Sequence, residues 1–166
     1  MIDFTALPFE AVIGQGTPEA VVTVDGGFVR LQGNTWQVCQ IPQSIIVETV
    51  LDFDFESPVQ GEIQGIGLAT GLSPEEGHSF QLYGWQSWGH LDFKTYASGV
   101  THFTIPVGEF FVGDFTYLVF INDHDVANST AEVVFSNVEF SQPGFVPDFE
   151  DTLIQIRDLA IQAVGP

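Results

Sequence analysis

The segment Asn122-Asp123-His124-Asp125 has the residue types of a metal site. It directly follows the apolar run 115–121, so its side chains lie where a predicted strand ends. Carboxylate and amide oxygens are the ligands that hard cations such as Ca²⁺ prefer. We therefore predict a calcium site with Asp123 and Asp125 as its best ligands and Asn122 as a weaker one. The alternative is a polar loop in which Asp and Asn side chains satisfy turn backbone groups.

Glu62 is the other candidate ligand. It lies in the segment 61–67, Gly-Glu-Ile-Gln-Gly-Ile-Gly, and shares the two-residue phase of Ile66 and Leu68. This phase directs the carboxylate into the core or along its edge, where it needs a partner, yet no Lys or Arg is close in sequence. Metal ligation and hydrogen bonding to a neighbouring loop both stay open. The glycines of this segment leave one strand face bare, which allows another backbone to approach closely.

The segment 82–90 combines aromatic and amide side chains. If Phe80 and Leu82 face the core, residues 81, 83 and 85 face outward. Aromatic faces pair with the C–H side of sugar rings, and amides form hydrogen bonds with hydroxyls. We predict four glycan-contact residues: Tyr83, Trp85, Gln86 and Trp88. The alternative for each Trp is burial at the mouth of the fold, because Trp is usually mostly buried, and Trp36 inside a probable strand fits the core better than a site.

The charge balance restricts the partners. Three Lys and Arg residues face 22 Asp and Glu residues, for a net charge of −19. Nucleic acids, anionic membranes and uronate-rich or sulfated polymers are disfavoured, because their binding needs several cations. With so few cations, a buried carboxylate cluster must be protonated, spread apart or neutralised by a bound ion. The favoured partner is a neutral polysaccharide or oligosaccharide.

Other sequence features bear on location and reactivity. No apolar run approaches the ~20 residues of a membrane span, so we predict no membrane insertion. The first ten residues lack the basic and apolar regions of a secretion signal. The lone Cys39 excludes an intrachain disulfide and fits a buried small hydrophobe. We found no nucleophile elbow, metal-binding His pair, P-loop or dinucleotide motif, and predict that the chain is not an enzyme.

Short β-runs separated by turns must position these residues. The 17 Gly and 9 Pro residues suit a turn-rich all-β chain. We predict an irregular segment over 1–18 and an antiparallel, jelly-roll-like β-sandwich of two sheets over 19–141. The predicted strands are 19–24, 27–32, 35–41, 48–56, 60–69, 78–84, 100–107, 115–122 and 131–141.

Three strands have informative patterns. In strand 48–56 the alternation sends Leu51, Phe53 and Phe55 inward and three carboxylates outward. Strand 115–122 is apolar on both faces and should be central in its sheet. In strand 131–141 the apolar phase changes, and a β-bulge near Ser136-Asn137 would reconcile its two halves.

The C-terminal part changes period. After a linker over 142–147, apolar residues recur at helical spacing, and Asp148 can cap the first turn. We predict one amphipathic helix over 148–164. Such a helix docks on its own domain, or else it contacts a neighbouring domain or a second copy of the chain.

An ordered series of short motifs resembles a bacterial β-sandwich module of the carbohydrate-binding-module type, found on secreted polysaccharide-acting enzymes. The series runs through residues 33–36, 51–55, 61–67, 80–84 with 86–89, 105–108, 122–126 and 135–138. The resemblance implies a jelly-roll-like sandwich, non-catalytic glycan binding, bound calcium and an extracellular location. Two alternatives stay open. One is a structural or adhesion domain that self-associates through the predicted helix, and the other is a small glycan-active enzyme.

Overall fold

The turn-rich sequence forms ten β-strands in a computed structural model, which describes residues 1–142. They are β1 (Phe9–Gly16), β2 (Val21–Asp25), β3 (Phe28–Gln32), β4 (Thr35–Ile45), β5 (Val50–Val59), β6 (Ile63–Ala69), β7 (Ser79–Tyr83), β8 (Thr101–Ile105), β9 (Gly113–Asp123) and β10 (Glu132–Ser141). Two single 3₁₀ turns, Glu76–His78 and Val107–Glu109, interrupt the connections.

The strands form two five-stranded antiparallel sheets. The first has the order β1-β4-β9-β6-β7, and the second has the order β2-β3-β10-β5-β8. The chain crosses repeatedly from one sheet to the other, as in jelly-roll folds. The predicted all-β, two-sheet class is confirmed, and each of the nine predicted strands overlaps one observed strand.

The segment expected to be irregular, 1–18, contains a strand. β1 is an edge strand that pairs with β4, so the sandwich begins before residue 19. The register shifts between Ala11 and Gly16, and Gly14 has φ 80°. Gly14 and Gly16 lie in an irregular edge strand. Because glycines and irregular pairing are untypical of a strand, the sequence pattern did not predict β1. The predicted helix 148–164 lies outside the described residues, as does nearly all of the predicted linker.

The main core lies between the sheets and follows the alternation of β5. Leu51, Phe53 and Phe55 are fully buried, as predicted, whereas the intervening carboxylates face outward. The ring centroids of Phe55 and Phe135 on neighbouring β10 are 5.2 Å apart. Full burial of each such ring stabilises the fold by about 1.5–3 kcal/mol.

The central strand of the first sheet is β9, as its apolar sequence predicts. One face lies in the main core. The other face contributes to a second apolar cluster on the outside of the sheet. Its buried members are Val12, Trp36, Val38, Ile63, Ala69, Val119 and Ile121, with Trp88 and Tyr117 packed against them. Trp36 is therefore a packed residue, as expected.

Smaller sequence features are also confirmed. The pairing of β10 with β5 shifts between Ser136 and Glu139, and Asn137 has φ 54°, which marks the predicted bulge. A Cβ at Gly65 would lie 2.3 Å from the Phe80 carbonyl oxygen, so the close backbone approach depends on glycine. Cys39 is fully buried, and burial raises the pKa of its thiol to about 11. Within residues 1–142, no helix has the length and apolar character to cross a membrane.

Candidate functional site

Three carboxylates meet at one end of the first sheet. Asp123 ends β9 and pairs with Ile63, the first residue of β6. Glu62 lies just before β6, and its backbone N–H donates to the Asp123 carbonyl oxygen at 2.7 Å. The loop after β9 then turns Asp125 toward both. One carboxylate oxygen from each residue lies within 4.8 Å of the others, and we call Glu62, Asp123 and Asp125 the carboxylate cluster.

Side chains at the start of the neighbouring β4 hold two members of the cluster: Trp36 lies in the strand, and Asn34 immediately precedes it. The Trp36 indole N–H donates to Oδ1 of Asp123 at 3.0 Å. The Asn34 side-chain amide donates to Oδ1 of Asp125 at 2.6 Å, and its own Oδ1 accepts from the His124 backbone N–H at 3.1 Å. Because β4 lies beside β9, the strand order places these donors at the same sheet end.

Glu62 connects the cluster to the 84–90 loop. Its Oε2 accepts from the backbone N–H of Asp125, and its Oε1 accepts from the Gln86 side-chain amide, both at 2.8 Å. Two glycines allow this close packing. A Cβ at Gly61 would lie 2.5 Å from the Asp123 carbonyl oxygen, and one at Gly84 would lie 2.3 Å from the Glu62 carbonyl oxygen.

The electrostatics of the cluster favour a positive ligand. Asp123 is only 6% exposed, and burial raises the pKa of its carboxyl above the ordinary value. The Trp36 hydrogen bond and the charge of His124 oppose this pKa shift, whereas the negative charges of Asp125 and Glu62 add to it. None of the ion pairs within residues 1–142 includes a member of the cluster.

The donor set fits a hard cation, because all three side chains offer carboxylate oxygens. The residues of the carboxylate cluster could hold a metal ion in this arrangement. The structure thus brings together the two best predicted ligands, Asp123 and Asp125, and one of the two weaker candidates, Glu62.

Asn122 does not belong to the cluster. Its side chain is fully buried on the opposite face of β9, where its amide donates to the carbonyl oxygens of Gly33 and Ala131 at 2.7 and 3.0 Å. Its Oδ1 accepts from the Gln64 amide at 2.8 Å. The expectation that Asn122 is a ligand is corrected, because alternation along the strand directs neighbouring side chains to opposite faces.

The 84–90 loop presents the aromatic and amide residues beside the cluster. Trp85 is 55% exposed, and its ring contacts the His124 ring edge-on at 5.3 Å. The loop is fixed from beneath by the buried Gln81. Its amide donates to the Tyr83 and Gln86 carbonyl oxygens, and its Oε1 accepts from the Trp88 backbone N–H, all within 3.0 Å.

The four predicted glycan-contact residues do not all lie on the exposed surface beside the cluster. Trp85 and Gln86 are exposed next to the cluster, and Trp88 is half-buried against Trp36, with ring centroids 4.7 Å apart. Tyr83 instead packs against the main core, 4.9 Å from the Tyr96 ring. The register between β6 and β7 shifts at Gln64, and this irregularity changes the face to which Tyr83 points.

Sequence reasoning missed three residues that build the site, namely Asn34, Trp36 as a donor, and Gln81. The only available signal was the outward phase of Gln81 in β7. That phase predicted that the Gln81 side chain points away from the core. It did not predict that the following loop covers this side chain and buries it.

No protein-family model matches the chain, and no curated protein matches it in sequence. Among solved structures, a glycoside hydrolase domain of Endo-D from Streptococcus pneumoniae R6 is similar with a TM-score of 0.53 at 10% identity. That match covers 83% of this chain and 22% of the hydrolase chain. At this identity the similarity supports the fold alone.

Carbohydrate-binding modules are also among the similar structures. A family 30 module of a cellulosomal cellulase of Clostridium thermocellum has a TM-score of 0.46 at 16% identity, covering 87% of this chain and 99% of the module. A family 29 module variant complexed with mannohexaose has a TM-score of 0.43 at 11% identity, covering 81% and 91%.

Proposed function

We propose that this chain is a non-catalytic, calcium-stabilised carbohydrate-binding module for a neutral glycan. The observation that carries the proposal is the position of the exposed Trp85 and Gln86 directly beside the carboxylate cluster. The aromatic ring offers a surface for the C–H face of a sugar. The amide and carboxylates around it offer partners for sugar hydroxyls.

Calcium is the cation that best suits the cluster. Ca²⁺ accepts carboxylate oxygens in flexible geometry, whereas softer metals prefer His and Cys ligands. An ion here would compensate three negative charges that share one end of a sheet, including the nearly buried Asp123. It would also connect β6, β9 and the following loop. Extracellular calcium sites bind at about 10⁻⁴–10⁻³ M, so an extracellular location forms part of the proposal.

Neutral sugar is the ligand class that suits the charge. The chain carries −19, and Lys94 is its only lysine. The Lys94 ammonium donates to the Gln86 carbonyl oxygen at 2.6 Å, so this cation already supports the loop. A uronate or sulfate would meet a surface dominated by carboxylates, which repel it.

The spacing of the carboxylates supports binding over catalysis. Glycosidase carboxyl pairs lie about 5–5.5 Å apart in retaining enzymes and about 6.5–9.5 Å apart in inverting ones, with the sugar between them. One carboxylate oxygen from each member of the cluster lies within 4.8 Å of the others, and Glu62 also accepts from the Asp125 backbone N–H. This arrangement encloses an ion more readily than a sugar ring.

The test is affinity electrophoresis through gels that contain neutral polysaccharides (mannan, xylan, mixed-linkage glucan and galactan) or acidic ones (alginate and pectate). We expect at least one neutral polymer to retard the protein in calcium, with weaker retardation in EDTA. Trp85→Ala should abolish the retardation. Val112→Ala is the control, because Val112 is similarly exposed (58%) but lies beside the opposite end of β9.

Two outcomes would overturn the proposal. Retardation by acidic polymers alone would contradict the neutral-glycan assignment. Release of reducing sugars from any of these polymers would show that the chain is an enzyme, provided that Asp125→Asn abolishes the release.

A further inference from the structure

A groove on the outer face of the first sheet lies beside the proposed glycan site. It has a volume of about 280 Å³ and is lined by Val12, Ile13, Gln15, Trp36, Ser73, Pro74 and Trp88. β1 forms one wall, the segment after β6 forms another, and the two indoles lie between them. We call these seven residues the outer groove.

Trp36 connects the outer groove to the carboxylate cluster. The Trp36 side chain lines the groove, while its indole N–H donates to Asp123 in the cluster. The 84–90 loop joins the two sites in the same way, because Trp85 lies at the cluster and Trp88 lies in the groove. Trp85 and Trp88 are three residues apart on one loop, so an extended ligand can contact both.

The chemistry of the groove differs from that of the cluster. None of its seven lining residues is charged, although the chain as a whole is strongly acidic. Its polar groups are the amide of Gln15 and the hydroxyl of Ser73, which can form hydrogen bonds with sugar hydroxyls. The half-buried Trp88 indole and the nearly fully exposed Ile13 supply apolar contact, whereas Trp36 is only 5% exposed and mainly supports Trp88. This combination matches an uncharged chain with alternating C–H faces and hydroxyl groups.

The groove is also held in shape before any ligand binds. The Trp88 backbone is fixed by the buried Gln81, and the Trp36 indole is fixed by Asp123. The two rings meet edge-to-face at 71°, a favourable packing geometry for aromatic pairs. A preformed groove loses little conformational entropy on binding.

We infer that the outer groove is a second contact region for the same glycan, so that the chain binds an extended stretch of a neutral polysaccharide across both regions. This inference rests on the proposed function, since Trp85 and the cluster form the first contact region. It adds a dependence of affinity on chain length.

The test compares short and long oligosaccharides. Calorimetric titrations use mannobiose, xylobiose and cellobiose against mannohexaose, xylohexaose and cellohexaose, in calcium. We expect a hexasaccharide to bind at least about tenfold more tightly than its disaccharide, because each region adds aromatic contact. In Ile13→Ser and Gln15→Glu, affinity for the hexasaccharide should fall about tenfold with little change for the disaccharide.

A matched variant and two outcomes separate the possibilities. Ile46→Ser makes the same change at an exposed isoleucine outside the groove and should bind like the wild type. Equal hexasaccharide binding by the wild type and both groove variants would overturn the inference and leave the proposed function intact. If no hexasaccharide or disaccharide binds the wild type, the proposed function fails and the inference fails with it.

Discussion

Two acidic regions of this molecule differ in how their carboxylates are neutralised. The carboxylate cluster brings Glu62, Asp123 and Asp125 together without an ion pair in the described part of the chain. The second region is the outer face of β5, where Asp52 and Asp54 lie next to each other on one side of the strand. We call this second region the β5 face.

The β5 face satisfies its carboxylates with the protein's own donors. Asp54 accepts from the Asn137 amide at 2.6 Å and contacts Nδ1 of His102 at 2.8 Å, and Asp52 accepts from the Thr104 hydroxyl at 2.7 Å. The Asn137 hydrogen bond, followed by the His102 contacts, lowers the pKa of the Asp54 carboxyl.

In the carboxylate cluster the environment shifts a carboxyl pKa in the opposite direction. Burial raises the pKa of Asp123, and neighbouring carboxylates raise it further. One region is therefore complete as it stands, whereas the other gains from a proton or a cation. Acidic composition alone does not indicate a metal site, because the surrounding donors decide whether the charges need an external partner.

The largest expected difference between the two regions is the response to calcium. Calcium at a hundred times its dissociation constant stabilises the folded state by about 2.7 kcal/mol, which raises Tm by about 5–10 °C for a chain of this size. Asp125→Asn should lose this shift because it removes one ligand charge. Asp54→Asn is the control on the β5 face and should keep it. The measurement is thermal unfolding of EDTA-treated protein with and without calcium.

An unchanged Tm in calcium raised to about 100 mM, a hundred times the weakest dissociation constant expected for such a site, would remove the metal from the account of the cluster. An equal shift in the wild type and in Asp125→Asn would place the ion elsewhere. An equal loss in Asp54→Asn would show that the two acidic regions are not distinct in the way described above.

The next effect concerns the backbone beneath the cluster. In Gly61→Ala the new Cβ would lie 2.5 Å from the Asp123 carbonyl oxygen, so β6 and β9 must separate. We expect a loss of about 2 kcal/mol in the free energy of unfolding, typical of overpacking, together with a weaker calcium response. Gly71→Ala is the control, because its Cβ would meet no atom within 4 Å. Urea unfolding measures the free energy of unfolding of both variants. Equal free energies for Gly61→Ala and Gly71→Ala would show that the backbone accommodates the added carbon.

The predictable part of the fold rests on local patterns. Alternation in β5 gave its inward face, and the two apolar faces of β9 indicated a central strand. The change of phase near Asn137 indicated the bulge. Each of these signals lies within a few residues, so no knowledge of the partner strand was needed.

The unpredictable part of the site depends on strand order and register. Asn34 and Trp36 reach Asp125 and Asp123 across 91 and 87 residues of sequence, and only the adjacency of β4 and β9 joins them. The prediction that Tyr83 points outward was wrong, because a register shift between β6 and β7 changes the face to which its side chain points. Asn122 follows a run that is apolar on both faces, so the sequence did not indicate its phase.

A smaller expected effect is that Asp123→Asn changes the stability in opposite directions with and without calcium. Asp123→Asn removes the buried charge, and its amide oxygen can still accept from Trp36. In EDTA at neutral pH we expect this variant to be more stable than the wild type, because the buried charge next to two other carboxylates is removed. In calcium the order should reverse, because a ligand is missing. Urea unfolding in both conditions measures this, and a variant less stable in both would contradict the electrostatic explanation.

Asp54→Asn provides the comparison from the β5 face. Its carboxylate accepts from Asn137 and contacts His102, so removing the charge weakens existing interactions. We expect a small loss of stability that is the same with and without calcium. A calcium-dependent loss in Asp54→Asn would link the β5 face to the ion.

The smallest expected effect is the opposite pH dependence of the two regions in EDTA. For Asp123, the raised pKa means that the folded state binds the proton more tightly than the unfolded chain does. Its favourable contribution is fully present below the unfolded pKa of about 3.8 and is lost as the pH rises through the folded pKa. For Asp54, the lowered pKa gives a contribution that is present above about 3.8 and is lost as the pH falls through the folded pKa.

Unfolding curves between pH 3 and pH 7 separate these contributions when each variant is subtracted from the wild type. The difference between the wild type and Asp123→Asn should become more favourable to the wild type from pH 7 to pH 4. The difference for Asp54→Asn should favour the wild type at pH 5 and shrink toward pH 3. Asp114→Asn, which removes an exposed charge at the far end of β9, controls for the change in net charge. Because protonation relieves repulsion throughout so acidic a chain, only these differences isolate the cluster. Parallel profiles for Asp123→Asn and Asp54→Asn would mean that both carboxylates are equally satisfied by the protein, and the cluster would then have no electrostatic reason to bind an ion.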